Sequence, residues 1–409
     1  MSKKISTIII ILVILGIIGG LLFFYFRNTE TTPTQLFTEP TTENPFGSSP
    51  VNKTPVTTNV TDNGQSTIVK NTAKLIQVYK NPNSGAVFFT NKNQSDVLRF
   101  IDRATGNAYE YIPESQTGEA SRITNTTIPK IEEAIWSLDG NSVVLRYLDN
   151  ETDNIVSFSA KISISSSTAM GEMNGSFLAK NIKELVTNPS GNKIFELLNK
   201  TDGGSYGITA SFDGSGKKQT FDSPVSFWNI SWPKEGIITL TTKPSFQDPG
   251  FLFFFNTQTG LMDRVLGNIA GLSTLTNNDA SLVAYSTSES DSFTLDVYDV
   301  KKKTSSGLSM QTLADKCVWG VKNSAVLYCA VPQGPTSDSY PDAWYQGTES
   351  FNDAIWSINM ANGATTLLYQ TETNDISFDA FDLKVSANDR YLSFSSKNDL
   401  SLWLLDIRE

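Results

Sequence analysis

A unit of about 44 residues recurs down this chain, and no other feature restricts its fold as strongly. Each copy opens with a turn built from Trp, Ser or Asn, then Asp or Asn, then Gly, and an apolar strand follows. The clearest copy is Trp136-Ser137-Leu138-Asp139-Gly140, running into Val143-Val144-Leu145. Weaker copies are Asn188-Pro189-Ser190-Gly191, Trp232-Pro233-Lys234-Glu235-Gly236, Asn277-Asn278-Asp279, Trp319-Gly320-Val321-Lys322-Asn323 and Ser386-Ala387-Asn388-Asp389. With one index residue per turn, Asn83, Asp139, Ser190, Glu235, Asn278, Lys322 and Asn388 are separated by 56, 51, 45, 43, 44 and 66 residues. The last gap returns to the period once about 20 residues between Pro332 and Asn352 are set aside as an insertion. A period of this length filled with short strands is the mark of a β-propeller. Seven units predict an all-β, seven-bladed ring.

Within a unit an inner strand leads into the turn. A second strand follows, as in Val87-Phe88-Phe89, Ile237-Ile238-Thr239-Leu240 or Tyr391-Leu392-Ser393-Phe394. A third alternates, as in Phe293-Thr294-Leu295-Asp296-Val297-Tyr298. It tends to end in Asp or Asn with Gly four residues on: Asp102 and Gly106, Asn256 and Gly260, Asn359 and Gly363. Glycine supplies the positive φ that such a hairpin turn demands. A fourth strand is expected at Ala108-Tyr109-Glu110-Tyr111. The last unit stops after its third strand, residues 400–405. Thr67-Ile68-Val69-Lys70, upstream of the first unit, is expected to supply the missing outer strand and so hide two sheet edges.

The stretch Trp136-Ser137-Leu138-Asp139-Gly140-Asn141-Ser142-Val143-Val144-Leu145 resembles the repeat of TolB-type, or WD40-like, propellers, roughly W-S-P-D-G-x-x-I-A-F. Leu138 stands where that pattern has Pro, and Asn188-Pro189-Ser190-Gly191 keeps the Pro and Gly without the Trp. The resemblance spans about residues 70 to 409. It implies the propeller fold and a role in protein contacts. It brings no partner with it, because the stretch by which TolB proteins engage theirs has no counterpart here.

Upstream of the repeats, residues 8–26 form 19 residues without a charge. At about 1.5 Å per residue they reach roughly 28 Å, close to the hydrocarbon thickness of a bilayer. Lys3 and Lys4 precede them and only Arg27 follows before Glu30, which places the N-terminus in the cytoplasm and the rest outside. A cleaved signal peptide is the rival reading. This run is longer than a signal core, and it ends in Leu21-Leu22-Phe23-Phe24-Tyr25-Phe26 with no Ala-x-Ala site. Gly16, Gly19 and Gly20 would suit helix pairing or reflect the frequency of Gly in such helices. Residues 27–67 are rich in Thr, Pro, Asn and Ser and poor in large apolar residues, which predicts a disordered stalk. The organisation expected is therefore 1–7 cytoplasmic, 8–26 a transmembrane signal anchor, 27–67 stalk, and 68–409 propeller.

Composition removes several functions. There is no histidine, which excludes Ser-His-Asp and Cys-His chemistry and imidazole-bound zinc. The net charge is −10 with no basic stripe, so no nucleic-acid partner is expected. Two cysteines allow one disulfide at most. Cys317 and Cys329 lie symmetrically about a hairpin turn near Asn323, so antiparallel pairing sets them opposite each other within disulfide reach. The alternative is two small apolar residues in a reduced hairpin.

The insertion is the leading candidate for binding. It carries Tyr340, Asp342, Trp344 and Tyr345, with Phe351 just after, and aromatic anchors dominate interface energetics. The alternative is that Trp344 and Tyr345 fold back over their own blade. Glu289-Ser290-Asp291 and the pair Asp338, Asp342 lack the spacing of a calcium loop, and Asn-x-Ser/Thr triplets at Asn125, Asn150 and Asn229 are what an Asn- and Thr-rich chain gives by chance. No cofactor or metal is expected. The function expected is a membrane-anchored, extracytoplasmic scaffold that binds a protein or an envelope polymer without catalysis. The alternative is a carboxylate-based, glycosidase-like hydrolase with two carboxylates in the central cleft.

Overall fold

The computed structural model describes residues 74–407, apart from 116–117, 150, 153, 165–169, 290–291, 335–339 and 372–376. The anchor, the stalk and Thr67, Ile68, Val69 and Lys70 lie outside the described residues. So does Asp338. Among the described residues no helix is long and apolar enough to cross a membrane.

The described residues build seven four-stranded antiparallel sheets, the seven blades expected. Their innermost strands are Asn83–Thr90, Ile131–Trp136, Ile182–Thr187, Trp228–Lys234, Thr274–Thr276, Cys317–Trp319 and Ala380–Val385. These surround a central channel. The second strand of a blade has neighbours on both edges and both faces. It therefore reads as a continuous apolar run, as in Tyr391–Ser396, where all six residues are buried. Outermost strands such as Thr304–Leu308 face solvent, and four of its five residues are exposed.

Apolar packing lies between blades rather than within them. Val87 and Ile101 of blade 1 pack with Ile131 and Trp136 of blade 2. Phe195 and Phe221 of blade 3 pack with Trp228 and Phe255 of blade 4. Leu98 and Phe100 of blade 1 pack with Tyr391 and Leu404 of blade 7. The repeat tryptophan adds a polar staple. Trp136 Nε1 donates to the Gly85 carbonyl of the preceding blade (3.2 Å), and Trp319 Nε1 to that of Leu275 (3.0 Å). Gly85 is required by this closeness, since a Cβ there would meet the Ala134 oxygen at 2.5 Å.

The turn after the inner strand recurs even where its sequence drifts. Its fourth amide donates to the first carbonyl in Gly140→Ser137, Gly191→Asn188, Ala280→Asn277 and Asp389→Ser386. Those fourth residues have φ of 66°, 69°, 59° and 60°. Ala280 and Asp389 thus hold a left-handed conformation that glycine adopts more cheaply. Asp389 compensates by accepting from the amides of Val321, Lys322 and Asn323 in blade 6, at 2.7, 3.0 and 2.9 Å.

Blade 1 departs from the sequence reading by one strand. Asn83 and Val87-Phe88-Phe89 belong to its inner strand, the following turn is at 91–95, and Ala108–Tyr111 is the third strand, not the fourth. Measured from Asn93, the spacing to Asp139 is 46, closer to the period. Asn83 resembles a turn residue because it serves the ring joint. Its amide donates to the Leu400 carbonyl (2.9 Å) and its side chain to Ser395 Oγ (3.0 Å), both in blade 7.

The ring closes through the strand Lys74–Tyr79, which pairs with Leu402–Asp406 as the outermost strand of blade 7. Closure by an upstream strand is as expected, but the strand lies a few residues after 67–70. Deleting Lys74–Tyr79 strips the cover from Leu402–Asp406 and removes the partly buried Leu75 and Ile76 with Val78. A loss of at least about 3 kcal/mol in unfolding free energy is expected. Denaturant unfolding checks it, and an unchanged midpoint would mean that the ring closes by another route.

Candidate functional site

The insertion joins the second strand of blade 6, Val326–Pro332, to its third, Asp353–Asn359. That connection lies on the face where each blade passes to the next inner strand. The described part folds back over this face around one helical turn, Asp342–Tyr345. Tyr340, Trp344 and Phe351 are 3%, 6% and 8% exposed and pack with Phe293 and Leu313. The strap reaches across neighbouring blades. Asp342 accepts from the Phe246 amide of blade 4 (2.8 Å), and Ser288 Oγ of blade 5 donates to the Tyr340 carbonyl (3.0 Å).

Beneath the strap lies a buried charge cluster that the sequence did not announce. Lys316, Asp353 and Asp379 are all fully buried. Lys316 sits in a 3-10 turn, Ala314–Lys316, just before the inner strand of blade 6. Its ammonium is 2.8 Å from Asp353 Oδ2 and also bonds Asp379 Oδ1. Asp379 Oδ2 accepts from Trp344 Nε1 (3.0 Å) and the Phe351 amide (3.2 Å). Asp353 accepts from the Ala380 amide of blade 7 (2.7 Å). Lys397 covers the Trp344 ring at 4.0 Å, and Lys316 stands 5.1 Å from it. One cation faces two carboxylates, and Asp353 Oδ1 has no hydrogen-bond partner among the described residues. Burial, opposed by Lys316, raises the Asp353 pKa to about 6. Their one signal in the sequence is a charge at, or one residue before, the start of a strand.

The strap also covers one mouth of the channel. The cavity is about 970 Å³ and is lined by inner-strand residues with Trp344 and Tyr345. Irregular pairing in the inner strands, at Ile131/Glu133, Ile182/Glu184 and Phe381/Lys384, sets charged side chains at this end. Glu132 pairs with Arg103, Glu133 with Arg146, and Asp382 with Lys384. Burial pushes the Glu184 carboxyl up, with the Glu133 charge adding to it. Asp315 accepts from the Tyr345 hydroxyl. Burial pushes the Asp315 carboxyl up and the Tyr345 bond pulls it back. Among the described residues no group of three or more acidic or cysteine side chains is arranged to hold a metal ion.

The five aromatic and acidic residues singled out in the insertion therefore separate. Tyr340, Trp344 and Phe351 are core, Asp342 fixes the strap to blade 4, and Tyr345 alone is substantially open, at 38%, toward the channel. A rim of freely exposed aromatic anchors is not what the insertion builds, because a long loop over a face must bury its own apolar surface. Cys317 and Cys329 are joined in a disulfide, directly paired across their strands with Cα atoms 4.1 Å apart. The short closed loop limits its contribution to roughly 3 kcal/mol.

No family model matches the chain, and none of the curated proteins compared matches its sequence. Solved structures do match. An oligogalacturonate lyase in complex with manganese covers 83% of this chain and 99% of its own, at 11% identity and a TM-score of 0.52. The tricorn protease matches 83% of this chain with 34% of its own, at 10% identity and a TM-score of 0.49. TolB from Acinetobacter baumannii covers 68% of this chain and 62% of its own, at 11% identity and a TM-score of 0.42. At these identities the likeness is one of fold, that of β-propeller proteins.

Two outcomes test the buried cluster. A carboxyl whose pKa rises on folding favours the folded state when protonated, so its contribution fades as pH climbs from about 4 to about 6. Asp353→Asn should remove that slope from a stability–pH profile and keep the fold at pH 7. If the slope persists, the proton is held elsewhere. Trp344→Ala should cost about 3–5 kcal/mol by denaturant unfolding, as truncated buried aromatics do. A loss below about 1 kcal/mol would show that the strap is not core.

Proposed function

We propose that this chain is a membrane-tethered, extracytoplasmic binding scaffold that offers the mouth of its channel opposite the strap to a protein or an envelope polymer and performs no catalysis. The observation that carries this reading is the pair Leu138 and Val321. Both occupy turns between inner and second strands, both line the channel cavity, and they are 53% and 48% exposed. A turn tip needs polar or small residues to close a hairpin, so large apolar side chains there are surplus to folding. Exposed apolar surface beside a concavity is the usual character of a docking site. The tether rests on residues 8–26, with lysines before and a polar stretch after.

A photo-crosslinking residue at position 138 or 321 of the full-length protein in its membrane should give a discrete adduct. The same probe at Lys161, on the outer part of blade 2, should not. Leu138→Glu with Val321→Glu should abolish a crosslink from a flanking probe without moving the melting temperature. Identical crosslinks from all three positions, or none from any, would overturn the docking face. Carbonate-washed membranes should retain a protein whose first residue is at or next to Met1, and an N-terminus beyond Phe26 would overturn the tether.

A hydrolase is the second reading, favoured by Asp315. A carboxyl that faces a cavity and whose pKa burial raises shares a property of general acids. It needs a second carboxylate roughly 5–9.5 Å away across a bound sugar. Turnover of a glycoside panel that disappears in Asp315→Asn would support it, and no turnover by the folded wild type would retire it.

A further inference from the structure

A second cavity, also about 970 Å³, opens at the rim between blades 5 and 6. One wall is the outermost strand of blade 5, Thr304–Leu308, which has a strand on one edge only among the described residues. The facing wall belongs to blade 6 and includes Val331, Trp356 and Met360. Leu308, Val331, Trp356 and Met360 each leave part of their apolar surface open, while Met310 and Ile358 beneath them are buried. Gly307 and Gly363 add no side chain to the walls, so main chain is accessible there.

One end of this groove is cationic. Lys301, Lys302 and Lys303 form the turn into Thr304–Leu308, all exposed, and they are the only run of three lysines in a chain of net charge −10. Asp299 is the one carboxylate lining the cavity. It is engaged by Lys302, whose ammonium is 3.0 Å away and whose amide donates at 2.8 Å. The groove thus pairs an open strand edge and an apolar floor with local positive charge.

We infer that this groove binds an extended peptide segment of a partner protein, with alternating apolar residues and carboxylates at one end. The segment adds as a fifth strand to Thr304–Leu308. Main-chain bonds to a free edge give affinity, and every second side chain points into the groove. Five residues of strand span roughly 17 Å, so the footprint is five or six residues. The apolar residues lie on Leu308, Trp356 and Met360, and the carboxylates meet the three lysines. This goes beyond the channel-mouth reading and uses a different face of the molecule.

The probe is a fluorescein-labelled ten-residue peptide alternating Val or Leu with Thr and ending in three Glu. Its controls are the same peptide ending in three Lys, and one with Pro at alternate positions that cannot pair as a strand. Anisotropy is read on the full-length protein in detergent. Saturable binding of the acidic peptide is expected, at least tenfold tighter than either control. The triple charge reversal Lys301→Glu, Lys302→Glu, Lys303→Glu should weaken it at least tenfold with the melting temperature unchanged. Met360→Glu, placed in the apolar wall, should weaken it as well. No saturable binding, equal binding of acidic and basic peptides, or indifference to the triple variant would overturn the inference. So would concentration-dependent self-association lost in the triple variant, which would assign the groove to a second copy of this chain.

Discussion

No blade of this propeller owns a core. Each main apolar cluster is made by two adjacent blades, so a four-stranded sheet is stable only with a neighbour on either side. The seven interfaces then depend on one another around the ring, and the joint between blades 7 and 1 completes the last of them. The chain makes that joint with strands from opposite ends of the domain, Lys74–Tyr79 against Leu402–Asp406. Local bonds reinforce it. Tyr79 donates to Asp102, Asn83 bonds Ser395 and the Leu400 carbonyl, and Arg390 pairs with Glu114. Closure removes two edges at once and converts a linear array of repeats into a cooperative unit.

The insertion solves a second problem, that of covering one end of the channel. A segment lying across that face must satisfy its own polar groups and hide its aromatics. Asp379 does both by accepting from the Trp344 indole and the Phe351 amide, and Lys316 balances its charge. Replacing a buried ion cluster with apolar residues is often neutral or stabilising, so the cluster is weak evidence for stability. Its directional bonds are better suited to fixing where the strap sits. Lys316 precedes the inner strand of blade 6, Asp353 opens its third strand, and Asp379 enters blade 7, so one ammonium joins three chain segments at the strap's base.

The periodic parts of this architecture were legible in the sequence, and the parts set by long-range contact were not. The turns announced themselves because Gly, Asp and Asn have local reasons to be there, and the Asn256 and Asn359 hairpins carry glycines with the same φ of 72°. The disulfide followed from hairpin symmetry. Blade 1 was misregistered because Asn-Pro-Asn-Ser-Gly resembles a turn wherever it falls. In fact Asn83 takes its role from residues more than 300 positions away. Lys316 and Asp379 are 63 residues apart, and no periodicity predicts that they touch. The fate of Trp344 was open for the same reason, since an aromatic in a loop does not say in sequence whether it faces a partner or its own domain.

Blade 6 concentrates what sets this propeller apart from a plain ring. It carries the disulfide between its first two strands, the strap between its second and third, and Asp389 of the next blade capping its first turn. Its Trp319 indole is bonded to blade 5. The disulfide stiffens the blade itself, while hydrogen bonds and the Lys316–Asp379 ion pair tie it to its two neighbours. A wall held in this way loses little freedom when something docks against it, and lower ordering cost raises affinity without new contacts. The groove between blades 5 and 6 has its apolar wall on this blade and, on the preceding one, a strand edge that no described residue pairs with. A rigid wall opposite an available edge is the combination that strand addition requires, because the edge supplies bonds only if the space beside it stays open.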